Sequence, residues 1–282
     1  MPRNRRSEGR SSDQRRAPEQ RPADRRQTAG GGAQSRSGAA FRKPDRDLVV
    51  LYGLHAVREA LRVRKRKLLD LFATLQAAER IGAEATAAGV PIHVVQAADL
   101  DRRLGQGAVH QGLLLEARAI PALDLSEIAC NSGFVLVLDQ ITDPHNVGAI
   151  LRTAAAFAVD ALIVTDRHAP DFSGVLAKTA SGGLEHVPIV PVVNLARALD
   201  ELGKADFLRV GLDSDGSASL EDAPLRRPLA LALGAEGAGL RRLTRERCDI
   251  VARLDMPGPI KSLNVSNACA VALSVARGKL RG

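Results

Sequence analysis

At 282 residues, 45% hydrophobic and 26% charged, the chain is long enough to bury a substantial core and to divide into two domains. There is no uninterrupted apolar window of about 18 residues and no apolar secretory stretch at the N-terminus, so the sequence excludes a helical membrane span and predicts a cytoplasmic protein. Cys130, Cys248 and Cys269 are odd in number and far apart, which excludes a disulfide framework and a zinc site.

The net charge of +8 resides in one place. Residues 1–43 hold 12 Lys and Arg against 4 Asp and Glu, and the remainder is balanced. Residues 1–47 are rich in Arg, Gln, Ser and Gly, poor in large apolar groups, and predicted to be a disordered tail. Such an arm suits nonspecific phosphate binding by counterion release, or serves as a solubilising extension. A mitochondrial transit peptide is a third reading, which Glu8, Asp13, Glu19 and Asp24 interrupt.

Ordered sequence begins at Leu48. A strand through Tyr52 is followed by a helix over 55–63 and a basic run, Arg64-Lys65-Arg66-Lys67, read either as a solvated loop or as an RNA contact. Strands over 68–74, 90–95 and 112–117 alternate with helices over 77–88 and 99–104, giving a small α/β domain over 48–119. Residues 120–132 lack periodicity and read as a linker. In the region 133–282, strands are expected at 134–138, 161–165, 187–190, 207–211, 229–233 and 250–254. Helices are expected at 147–157, 175–180, 195–202 and 268–277. Strands alternating with helices predict a mostly parallel α/β sheet, whose ligands bind beyond the carboxyl ends of the strands.

Three loops at such ends carry the candidate chemistry. In the first, Asn146 is expected to cap the following helix, Gly148 to allow close backbone approach, and Arg152 to face a cleft and seek an anion. In the second, Gly234, Gly237 and Gly239 surround Glu236 in a tight turn that does not match the dinucleotide fingerprint. In the third, two prolines and Gly258 precede Ser262, Asn264 and Ser266; Ser266 is expected to cap the last helix, leaving Ser262 and Asn264 for a ligand. No Ser-His-Asp or Cys-His order and no metal-ligand spacing accompanies them. The set suits positioning a substrate hydroxyl more than forming a covalent intermediate.

Taken together, Asn146-x-Gly148-x-x-x-Arg152-Thr153-Ala154, Gly234-x-Glu236-x-x-Gly239-Leu240 and Met256-x-Gly258-x-x-x-Ser262-Leu263-Asn264-Val265-Ser266 resemble the SpoU (TrmH) family of RNA ribose 2'-O-methyltransferases. Tyr52-Gly53-x-His55-Ala56-Val57 and Gly107-Ala108-Val109-His110-Gln111-Gly112 are similar to the L30e-like substrate-binding domain of its ribosomal RNA branch. The resemblance implies a SPOUT α/β knot, a homodimer, and S-adenosylmethionine as cofactor, contacted at Gly234, Leu254 and Leu263. It implies Asn146, Arg152, Glu236, Ser262 and Asn264 as the catalytic set, and methylation of a guanosine in 23S ribosomal RNA. Rival readings are a transfer-RNA 2'-O-methyltransferase, which usually lacks the front domain, and a non-catalytic RNA-binding assembly factor. Asp255 stands where the family usually has proline. The family's usual mechanism gives proton acceptance to the arginine, but a guanidinium stays protonated. Arg152 is therefore read as a phosphate clamp, with the proton leaving through Glu236, a water or the RNA phosphate.

Overall fold

The computed structural model describes residues 41–280 apart from Arg46, Ser132, His168 and the side chains of residues 129–131. The predicted disorder of the arm therefore lies outside the described residues up to position 40, as does the Cys130 side chain. Phe41 and Arg42, expected within the disordered tail, pack instead. The Phe41 ring lies 4.5 Å from that of Phe72, and the Arg42 amide donates to both oxygens of the buried Glu116 carboxylate at 3.2 Å.

The first half is a four-stranded sheet, β1 (Leu48–Tyr52), β2 (Leu68–Ala73), β3 (Ile92–Val94) and β4 (Leu113–Arg118), in the order β1-β4-β2-β3. Helices α1 (Leu54–Val63), α2 (Leu75–Ala87) and α3 (Ala97–Leu104) connect the strands. Helix α1 buries Ala56, Val57, Ala60 and Leu61, the spacing of one helical face, and stops where Arg64 turns left-handed at φ 56°.

The linker expected over 120–132 contains a helix, α4 (Leu125–Asn131). Asp124 begins it by accepting from the Ser126 amide at 2.9 Å, and Glu127 reaches back to the Asp124 amide at 2.8 Å. Seven residues are too few for a periodicity to stand out.

The second half is a seven-stranded sheet in which every pairing is parallel. Its strands are β5 (Phe134–Asp139), β6 (Ala161–Thr165), β7 (Ile189–Val192), β8 (Leu208–Leu212), β9 (Ala218–Ser219), β10 (Leu229–Gly234) and β11 (Ile250–Arg253). Their order is β7-β6-β5-β10-β8-β11-β9. Strand β5 is buried along its whole length because both sheet faces are covered. Leu136 and Leu138 face α5 (Pro144–Ala156), α6 (Gly174–Thr179) and α9 (Val265–Lys279), whereas Val135 and Val137 face α4 and α7 (Leu195–Lys204). The expected strand at 187–190 starts two residues later, after a 3-10 turn at Gly183–Glu185 that closes with His186 N donating to Gly183 O. The short β9 and α8 (Arg242–Glu246) have no counterpart among the sequence expectations.

One apolar cluster runs through both halves, from Val49 and Leu51 of β1 and Val57 of α1 to Leu138 of β5, Ile150 of α5 and Leu273 of α9. An ion pair is sealed beside it. Arg66 Nη2 meets Glu185 Oε1 at 2.7 Å and Arg66 Nε meets Oε2 at 3.1 Å, with both side chains 2% exposed. Both readings of the 64–67 run are therefore corrected at Arg66, which is turned inward onto Glu185 and is not a solvated loop side chain. Arg66→Ala or Glu185→Ala is expected to lower the unfolding free energy by about 3–5 kcal/mol, since each leaves a buried charge alone. The double change to Met and Leu is expected to cost much less, as read from urea denaturation.

Candidate active site

Strands β5 and β10 run parallel with Asp139 opposite Gly234, and β8 places Leu212 beside both Leu233 and Ala252 of β11. The loops that leave these strands emerge together at the carboxyl edge of the sheet. Under them, the fully buried Asp139 carboxylate accepts from Arg241 Nε at 2.6 Å and Arg241 N at 3.0 Å, tying the first loop to the segment after the second.

Helix α5 starts at Pro144, whose fixed φ and missing N–H suit a first helical position. Asp143, and not Asn146, is its cap: the Asp143 side chain accepts from His145 N at 3.3 Å and Asn146 N at 3.2 Å. Asn146 lies within the first turn, and its side chain is left for other partners. Gly148 is approached closely, but by protein: a Cβ there would come within 2.8 Å of the Leu176 carbonyl of α6.

After β10 the chain folds back on itself, with Gly239 N donating to Ala235 O at 2.9 Å. A Cβ on Gly234 would stand 2.1 Å from the Gly239 carbonyl carbon, so no side chain fits. Glu236 sits in this turn. In the third loop Lys261 Nζ donates to Met256 O at 2.7 Å, and Asp255 accepts from Arg253 Nε at 2.9 Å. Both Asp255 and Arg253 are solvent-exposed in this pair, which therefore adds little to the loop's stability.

Helix α9 is capped by Asn264 rather than Ser266. Asn264 Oδ1 accepts from Ser266 N at 3.0 Å and Ser266 Oγ at 2.5 Å. The same amide points its nitrogen at Glu236 Oε1, at 2.5 Å, and at Asn146 Oδ1, at 2.9 Å. Asn146 Nδ2, at 3.3 Å, and Val265 N, at 3.2 Å, complete the donors to Oε1. Glu236 Oε2 receives no hydrogen bond from the described residues.

Beside this cluster opens a cleft of about 750 Å3, bounded by Leu212–Asp215, the 234–239 turn, Arg253–Met256 and Lys261–Leu263. Gly234, Leu254, Leu263 and Ser262 line it; Ser262 is exposed and makes no hydrogen bond to the described residues. Arg152 is placed differently from the expectation. It is exposed on α5, pairs with no carboxylate among the described residues, and is not brought into the cluster.

Burial pushes the thiols of Cys248 and Cys269 up to about 12, which removes them as nucleophiles near neutrality. Among the described residues no three His, Cys, Asp or Glu side chains group to hold a metal. No described helix is long and apolar enough to cross a membrane.

Residues 133–274 match the model of the SpoU rRNA methylase family, and residues 50–122 match the RNA 2'-O ribose methyltransferase substrate-binding model. The chain belongs to the SpoU methylase family. It is accordingly a methyltransferase. It is 39% identical over 233 residues to the 23S rRNA (guanosine-2'-O-)-methyltransferase RlmB of Yersinia pestis, covering 79% of this chain and 94% of that one. It is 42% identical over 191 residues to RlmB of Xylella fastidiosa strain 9a5c, covering 66% and 76%. Among solved structures it resembles the SpoU methyltransferase AviRb of Streptomyces viridochromogenes in complex with AdoMet, with a TM-score of 0.69, 27% identity, and 82% and 89% of the two chains covered.

Asp143, Asp139 and Arg241 were not singled out from the SpoU motifs. The Asp143-Pro144 pair does carry a readable cap signal, whereas the Asp139–Arg241 pair spans 102 positions and becomes visible only once β5 and β10 are paired. With the caps assigned in this way, Asn264→Ala is expected to cost about 1–2 kcal/mol of stability. Ser266→Ala should cost less than half as much in the same denaturant titration.

Proposed function

We propose that this SpoU enzyme transfers a methyl group from S-adenosylmethionine to the ribose 2'-oxygen of a guanosine in 23S ribosomal RNA, in the cytoplasm and as a homodimer. The observation that carries the reading is the Asn146–Glu236–Asn264 cluster, three side chains from three segments distant in sequence, joined beside the cleft. The names and coverage of the RlmB relatives support the substrate. The match of residues 50–122 to a substrate-binding model supports an L30e-like RNA-binding domain over 48–119, joined through 120–132 to a catalytic domain over 133–282. The likeness to AviRb supports a trefoil knot in the catalytic domain.

The cleft fits the cofactor. Leu254 and Leu263 offer apolar surface for an aromatic base, and Asp215 supplies negative charge near a cationic ligand. When bound, the cofactor supplies a methyl group on a positively charged sulfur. The protein's part is to hold the ribose oxygen in line and to move its proton. Asn264, fixed at once as helix cap and as donor to Glu236, keeps a rigid polar wall, and Ser262 presents a hydroxyl beside it. Glu236 Oε2, open while Oε1 is saturated, is the protein oxygen available to receive the proton, directly or through water; the RNA phosphate is the other acceptor. Arg152, exposed and without an internal carboxylate, serves as a fork for an RNA phosphate.

Mass-spectrometric mapping of 2'-O-methylated nucleotides is expected to show one 23S guanosine unmethylated in cells that lack the protein. A complete set of ribosomal RNA methyl groups in those cells rejects the substrate. In purified enzyme, Glu236→Gln is expected to lower single-turnover methyl transfer by about 100-fold or more. Arg152→Lys is expected to weaken RNA affinity by about tenfold while leaving S-adenosylmethionine affinity unchanged. Sedimentation velocity showing only a monomer at working concentration would remove the dimer.

A further inference from the structure

Asp213, the first residue after β8, lines the cleft and is 8% exposed. Its Oδ1 is occupied, accepting from Asp215 N at 3.1 Å. Its Oδ2 accepts no hydrogen bond from the described residues. The nearest cation, Arg245 Nη1, stands 3.6 Å away and is itself anchored through Nη2 on the Asp215 carbonyl at 3.2 Å. Gly239 opens the approach, because a Cβ there would stand 3.0 Å from Oδ2. A largely desolvated carboxylate with an open acceptor toward a cleft is completed by water or by a ligand donor, and a ligand hydroxyl can replace that water.

The charge around Oδ2 selects the kind of donor. Arg245 already balances the carboxylate, so a ligand ammonium at Oδ2 would be pressed against a guanidinium, whereas a neutral hydroxyl would be attracted by the carboxylate without that repulsion. We propose that Asp213 binds the ribose hydroxyls of S-adenosylmethionine and is a cofactor-binding residue of this enzyme. This rests on the cofactor reading above. The ribose hydroxyls are present in both the sulfonium cofactor and its thioether product, so Asp213 contacts both forms and contributes to positioning.

Calorimetry on the full-length protein tests this with S-adenosylhomocysteine, 5'-methylthioadenosine and its 2'-deoxy and 3'-deoxy forms. Wild-type protein is expected to bind the first two. Asp213→Asn, which keeps an oxygen for the Asp215 amide, is expected to weaken both by the same factor, roughly 10- to 100-fold. Removing a ribose hydroxyl should weaken binding to the wild type by a comparable factor and bring little further loss in the variant. Unchanged affinity in Asp213→Asn overturns the assignment, and so does a loss confined to S-adenosylhomocysteine, which would mark the ammonium as the partner. The deoxy ligands on wild-type protein decide independently of how the variant folds: if they bind as tightly as the parent, the assignment is wrong. Wild-type protein that binds none of these ligands rejects the cofactor reading itself, a result distinct from an altered ratio in the variant.

Discussion

Three N–H groups converge on Glu236 Oε1, from the Asn146 amide, the Asn264 amide and the Val265 backbone, and most of the second half of the chain is arranged so that they can. Asn146 lies 90 positions from Glu236 and Asn264 lies 28 away, so nothing local brings them together. What does is the parallel register of β5 against β10, which ends both strands at the same level, and the cap geometry of α9, which fixes Asn264. Hydrogen bonds to a charged group contribute about 1.5–3 kcal/mol each when sheltered and less where solvent reaches them. This cluster is partly open to solvent, so its role is chiefly directional. It holds two amides in single orientations and leaves one carboxylate oxygen facing outward.

Much of this was legible in the sequence, for reasons that can be named. The parallel sheet was readable because strands covered on both faces are continuous apolar runs, as in Phe-Val-Leu-Val-Leu at 134–138 and Leu-Ala-Leu-Ala-Leu at 229–233. The loops were readable because glycine and proline end such runs abruptly. Cap assignments failed because two residues competed at each helix start, Asp143 with Asn146 and Asn264 with Ser266, and spacing alone does not say which side chain turns back on the amides. Arg152 sits among small apolar neighbours at 149–156, a setting that suggested a buried or cleft-facing arginine, yet its position on α5 is exposed. Arg66 was misjudged in the other direction. A basic run reads as surface, and its carboxylate partner lies 119 positions away.

Charge in the folded part is largely spent internally. Arg66 on Glu185, Arg241 on Asp139, Arg209 on Asp249 and Arg118 on Asp45 are all close pairs, which is how a chain with many arginines is electrically balanced beyond residue 43. Their value differs with surroundings. The exposed ones contribute little, while the sealed Arg66–Glu185 pair adds little net stability but strongly penalises any arrangement that separates its members. The apolar cluster that spans both halves supplies the attraction, and the pair adds one specific contact between them.

Separating Arg66 from Glu185 would strand a buried charge on each side, so the two halves resist coming apart. A front half hung on a loose tether could meet an RNA wherever the strand happened to run; one held against the second half offers an RNA a single continuous surface.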